Sequence, residues 1–404
     1  MPIREHENWI PLAVAARRGH CRRCALNSPP AIASLEAAIA FGQELLARHP
    51  ERDALAAYSA AAAGRRRRYP ALYLGHLYVP GDAGGPADEI TLPAVTAPDT
   101  AEGALAREIV GMFGPLGMLN PVNACFGMGA GTAALVPCFG IPLDPSVANG
   151  PAFTRSLAEV LADPPPDPET AGPIPEWRRR IDLLRDRTPA AFKIGLPDMQ
   201  GPFNLAHAIL GNDALLAPYD SEKDFHAFME RLTSFWIALR RQLMTWIGEE
   251  RLNPRDRMGR IAECSVNLVS PDFYEQFILP HDRRIAEAFG PLHIHPCSGP
   301  HVFRATLKNL PVAHTEAGFV DRAAAGAIAV ADALAAIGGR PVLLSIGQEL
   351  PEGREYEFIR EDFDRYKTNP RLLFSYTGMH WRRRDRGMIR DMHRRLDEHW
   401  AEKC

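Results

Sequence analysis

From Ser221 onward, apolar residues recur at three- and four-residue spacing: Phe225, Phe228, Leu232, Phe235, Leu239, Leu243 and Trp246. That spacing puts them on one stripe of a long helix, with Ser221 in the N-cap position. Ser270-Pro271 opens a second helix, the proline at its first position. Ala-rich stretches at 31–49, 52–68 and 321–337 read as further helices, and Gly338-Gly339 ends the last of them. Between these patterns stand short apolar runs at 120–126, 192–197, 259–266, 291–296, 311–316, 341–347 and 371–376, which read as strands. The Pro/Gly-rich stretches 79–100 and 162–176 read as loops.

Strand and helix in regular alternation imply a parallel sheet with helices outside it. Seven or eight such units predict a (β/α)8 TIM barrel over 116–404, with 1–115 as an N-terminal helical extension packed on it. In such a barrel the functional side chains gather at the C-terminal ends of the strands. The strand ends carry Asn123 and Cys125, then Asp198 and Gln200, then Glu263, Cys264 and Asn267. Further on they carry His293, His295 and Cys297, His314 and Glu316, Gln348 and Glu349, and Tyr376, Thr377 and His380. Polar residues scattered without purpose would occupy both ends, so this one-sided set predicts a shared pocket.

Composition narrows the class. The chain has 404 residues, 46% of them hydrophobic, and a net charge of −3. It can bury a large core, and it lacks the basic excess of a general nucleic-acid binder. The basic runs "ARRGHCRRC" (16–24), "GRRRRYP" (64–70) and "WRRRDR" (381–386) read as solvated faces. No apolar run reaches 18 residues, and the start "MPIREHENWI" lacks a secretory core. Seven cysteines in a chain of this length make no disulfide framework. The expectation is a cytoplasmic protein that acts on a small molecule, with no nucleic-acid or membrane partner. Cys21 and Cys24 form a CxxC pair without a second pair at zinc-finger spacing.

The stretch "PLHIHPCSGP" (291–300) holds the most specific chemistry. His293, His295 and Cys297 occupy alternate positions, which a strand directs to one face. Pro296 and the following Ser-Gly-Pro place that face where strand gives way to loop. Taken alone, a buried thiol beside two hydrogen-bonded imidazoles explains the pattern as well as a metal site does.

From about 117 to 380 the sequence resembles the uroporphyrinogen decarboxylase-like superfamily of (β/α)8 barrels. The resemblance rests on "DMQGPFNLAHAILG" (198–211), "SVNLVSPDFYEQFILPHDRRIAEAFG" (265–290), "HIHPCSGP" (293–300) and the glycine-rich "NACFGMGAGTAALVPCFG" (123–140). The superfamily holds metal-free decarboxylases and zinc-dependent methyltransferases. The decarboxylase's R-Q-A-G-R-Y segment is missing, whereas His295-Pro296-Cys297 matches the methyltransferases' His-x-Cys zinc motif. The similar barrel of cobalamin-independent methionine synthase has His-x-His-x-Cys followed by a glutamate ligand. Here Glu316 follows Cys297 by nineteen positions.

The resemblance therefore implies a zinc ion held by His295, Cys297 and Glu316. It also implies a methyl transfer to an acceptor thiol, with a corrinoid supplied by substrate or by a partner protein. Both methyltransferase families end with a cysteine ligand after the last strand, and this chain has "FSYTGMHW" there. Thr377 stands near the missing cysteine; either His380 replaces it, or the site keeps three protein ligands and an open position. Asp198 and Glu263 are the acid/base candidates. Asn123, Gln200, His293, Gln348 and Tyr376 are the candidates for holding substrate. Two other readings stay open: a decarboxylase or lyase using Asp198 or Glu263 with an arginine, and a non-catalytic corrinoid-binding partner protein.

Overall fold

The computed structural model describes residues 30–65, 72–76, 92–114, 122–129, 131–147, 150–262, 264–296, 300–317, 329–349, 353–366, 369–380 and 383–403. The described residues fall into two compact units, one within 126–186 and 193–342, the other within 12–125, 187–192 and 343–404.

The first unit is built on the parallel strands Gly259–Ala262, Leu292–His295 and Val312–Ala317, paired in that order. Leu292, His293 and Ile294 are all buried, so the middle strand is covered on both faces, as a parallel strand should be. Helix Leu279–Phe289 packs on the strand Gly259–Ala262. A Cβ at Gly259 would stand 2.7 Å from Leu292 Cδ2 and 3.2 Å from Ile285 Cγ2, so this close approach favours glycine.

The 26-residue helix Glu222–Ile247 follows the predicted stripe. Phe225, Phe228, Leu232, Phe235, Leu239 and Leu243 are buried. Trp246 is half-buried, with the Arg178 guanidinium 4.9 Å over its ring. Ser221 takes the N-cap position, but its hydroxyl donates to Asp224 at 2.7 Å instead of capping a backbone amide. Ser270 does cap, accepting from the Phe273 amide, with Pro271 behind it. A π-helical turn, Tyr274–Ile278, joins that cap to helix Leu279–Phe289.

The second unit contains the parallel strands Leu72–His76, Leu372–His380 and Leu343–Glu349. Its helices Leu35–Arg48, Ala54–Ala62 and Ala101–Met112 are capped by Ser34, Asp53 and Thr100. Arg52 pairs with Asp397 in this unit.

Parallel strands alternating with helices are therefore present, and no closed barrel is formed among the described residues. Several boundaries differ from the periodicity. The helix expected over 52–68 stops at Ala62, and Gly64 follows at φ +66°. The 162–176 loop ends in helix Ile174–Arg187, whose Ile174, Trp177, Ile181 and Leu184 face inward. The strand expected over 259–266 ends at Ala262, and a 3-10 turn, Cys264–Leu268, follows. There the Ser265 amide donates to Asn204 Oδ1 at 2.8 Å and is lost to a ladder. No described helix is long and apolar enough to cross a membrane.

Candidate metal centre

Two adjacent strands supply the centre. His293 and His295 lie at alternate positions of Leu292–His295, and His314 and Glu316 at alternate positions of Val312–Ala317. Parallel register sets His293 against His314. Four titratable side chains thus share one place, with His295 and Glu316 at the carboxyl ends of the two strands.

Glu316 is the hub. Its Oε1 lies 3.0 Å from His293 Nε2, and its Oε2 contacts His295 Nδ1. The side chains of His293 and Glu316 are 4% and 13% exposed against 21% for His295, so the cluster deepens away from His295. His314 is buried and its ring stacks on that of His293. Donor atoms of His293, His314 and Glu316 lie within 4.8 Å of one another.

Burial and neighbouring charges set the protonation states of these groups. Burial drives His293 down to about 4, against the opposing pull of the Glu316 carboxylate. Burial likewise drives His314 well below the usual histidine range. Both are neutral imidazoles at pH 7. Burial works to raise the Glu316 carboxyl, but the charge of His295 and the hydrogen bonds from His293 and His295 outweigh it. Glu316 is held well below the carboxylate range. Neutral imidazole and ionised carboxylate are the protonation states that a divalent cation requires.

A hydrogen-bonded chain runs beside the cluster. Arg260 donates to Asp198 at 3.1 Å, and Gln200 donates to the same oxygen at 2.9 Å. Asn204 Nδ2 donates to Gln200 Oε1 at 2.8 Å, while Asn204 Oδ1 accepts from Ser265. His207 Nδ1 stands 2.9 Å from Ser265 Oγ. Burial opposes the charge on Arg260, yet the carboxylates of Asp198, Glu316 and Asp256 together hold its pKa above the ordinary arginine value.

Of the residues singled out in the sequence, the structure brings together His293, His295 and Glu316, with Asp198 tied to Arg260 and Gln200. Gln200 is buried, and its amide is engaged at both ends by protein partners. Asn123 is exposed and belongs to the second unit. Cys297 and Glu263 lie outside the described residues, as do Cys21 and Cys24. Gln348, Tyr376 and His380 have described backbones in the second unit, and their side chains lie outside the description. Arg260 carries no motif signal in the sequence, whereas His314 is one of the strand-end residues, here seen stacked on His293. The signal for His314 was available in "HTE" (314–316), which repeats the alternate spacing of "HIH" on the next strand.

No protein-family model matches the chain. A methylated-thiol–coenzyme M methyltransferase of Methanosarcina mazei is 33% identical over 152 residues, which cover 37% of this chain and 38% of that protein. The match thus spans less than two-fifths of the relative's length. It agrees with the resemblance to the methyltransferase branch of the superfamily. A solved methyltransferase from Methanosarcina mazei aligns with 68% of this chain and 80% of its own at a TM-score of 0.49 and 12% identity.

Proposed function

We propose that the chain is a zinc-dependent methyltransferase in which His295, Cys297 and Glu316 hold a single zinc ion and a thiol is the methyl acceptor. The observation that carries this reading is Glu316: a largely buried, ionised carboxylate reached by two histidines at the carboxyl ends of parallel strands. The similarity to a methylated-thiol methyltransferase supports the reaction class. The donor set fits zinc, which takes imidazole, thiolate and carboxylate ligands and in catalytic sites keeps one position open. When bound, zinc would supply the charge that lets an acceptor thiol, ordinarily near pKa 8.5, lose its proton at neutral pH.

The chain's own residues perform the placement. Glu316 contributes the anionic charge of the described cluster, and His293 fixes one of its oxygens. Arg260 and Asp198 hold each other beside the cluster; in this reading Asp198 orients substrate or exchanges a proton with it. A corrinoid, on the substrate or on a partner protein, is the methyl donor in this reading. The closed (β/α)8 barrel over 116–404, with 1–115 packed on it, belongs to the same proposal; the alternation of parallel strands and helices supports it.

Metal analysis of protein purified without added zinc, followed by assay with a thiol and free methylcobalamin, tests the reading. Stoichiometric zinc and methyl transfer are expected. Metal-free protein that releases carbon dioxide from a carboxylic acid would establish the decarboxylase instead.

A further inference from the structure

In the zinc reading above, the residues on either side of Pro296 are both ligands, so the backbone at Pro296 decides whether they can serve one ion. Few rotations are free there. His295 is held in the strand Leu292–His295, and a residue that precedes proline is confined to extended conformations in any case. The pyrrolidine ring fixes φ of Pro296 at about −65°, and the peptide that follows is planar. One soft rotation remains, ψ of Pro296. The same angle sets the direction of the Pro296 carbonyl oxygen.

That oxygen has a partner. Asn267 Nδ2 lies 3.3 Å from it, and Pro296 is buried. A carbonyl only accepts, so the Asn267 amide turns its NH2 group towards Pro296.

Asn267 stands on the 3-10 turn Cys264–Leu268, and that turn is itself anchored. The Ser265 amide donates to Oδ1 of the buried Asn204 at 2.8 Å. Asn204 Nδ2 donates to Gln200 Oε1 at 2.8 Å, and Gln200 Nε2 donates to Asp198 Oδ1 at 2.9 Å. A directional brace thus runs from Asp198 to the backbone beside His295, with no titratable side chain in between.

We propose that Asn267 is a positioning residue, whose amide sets the last free backbone rotation between the two ligand positions while the anchored turn holds it in place. Asn267 acts through Pro296 and touches neither ion nor substrate. This role rests on the zinc reading. Groups that orient ligands without binding the ion typically contribute about 10- to 100-fold to metal affinity.

Cobalt(II) titration of the metal-free full-length protein tests the role, with the visible d–d bands and the near-ultraviolet thiolate band recorded. Asn267→Leu removes the donor at similar volume. Its cobalt affinity should fall about 10- to 100-fold and its bands should shift, while the urea midpoint of the metal-free protein stays that of wild type. A merely structural residue would move the midpoint and leave the bands alone.

Wild-type affinity and bands in Asn267→Leu would overturn the role and leave the zinc reading standing. Weaker binding with a lowered midpoint and unshifted bands would overturn it equally. Wild type that takes up no cobalt would overturn the zinc reading and this role together. Should Asn267→Leu fail to fold, Asn267→Ser, whose hydroxyl is too short to span the gap, carries the same test.

Discussion

Tyr274, on the π-helical turn, donates its hydroxyl to Asp282 Oδ2 at 3.0 Å, while Asp282 Oδ1 is buried with no hydrogen-bond partner among the described residues. A fully buried carboxylate so poorly supplied with donors resists ionisation, and burial pushes Asp282 up to about 7. The folded state therefore binds a proton that an unfolded aspartate releases near pH 4. The stability that this proton contributes is complete below about pH 4 and is lost as pH rises towards 7. The difference amounts to roughly 4 kcal/mol across the window. Asp282→Asn should gain stability over wild type as pH is raised from 5 to 8 in urea denaturation. Its neighbour His281, lowered by burial to about 4, acts oppositely, losing stability as pH falls from 6.5 towards 4. The variant-minus-wild-type difference isolates Asp282, and a difference independent of pH would refute its titration.

The proposed metal ligands are tested by removal. Cys297→Ala should lose most of the zinc, whereas Cys21→Ala and Cys24→Ala should keep it, measured by metal analysis of the purified variants. His380→Ala separates the two forms of the site at pH 7.5. A loss of about 10- to 100-fold or more in zinc affinity would make His380 a fourth protein ligand. An unchanged affinity would leave three and an open position.

Asp198 distinguishes chemistry from metal binding. Asp198→Asn keeps an acceptor for Arg260 and Gln200 but removes the charge and the capacity to take a proton. Methyl transfer should fall by at least about 100-fold, while zinc stays stoichiometric. Unaltered turnover would remove Asp198 from the catalytic group.

Gly259 tests the packing beneath the site. Its replacement by alanine puts a methyl group 2.7 Å from Leu292 Cδ2 and 3.4 Å from Phe289 Cβ. The flexible end of Leu292 can move, but Ile285 lies 3.2 Å away on another side. Gly259→Ala should cost about 1–3 kcal/mol of stability, measured by chemical denaturation. A midpoint equal to wild type would mean that the helix is free to retreat from the strand.

Much of this was legible in the chain. The stripe from Phe225 to Leu243 fixed the longest helix, because burial of one face is all that its spacing allows. Ser270-Pro271 located a helix start, because capping is local chemistry. Alternate His293 and His295 and the later Glu316 named the centre, because strand geometry turns two-residue spacing into a shared face. Helix Ile174–Arg187 was hidden because prolines just before it dominate the local pattern, although its inward face has ordinary helical spacing.

What only the tertiary structure decided is which groups meet and in what orientation. Nothing local in "HTE" says that His314 stacks on His293; register between two strands sets that. Nothing near Ser265 says that its amide is claimed by Asn204, sixty-one positions earlier, which ends the strand. Arg260 is an unremarked residue in the sequence, and it becomes part of the site only because the fold brings Asp198, Asp256 and Glu316 around it. The sequence determined the elements and the residue types of the centre, since both follow from short-range periodicity. Which of them pair, stack or share charge depends on distances across strands, and those exist only once the chain has folded.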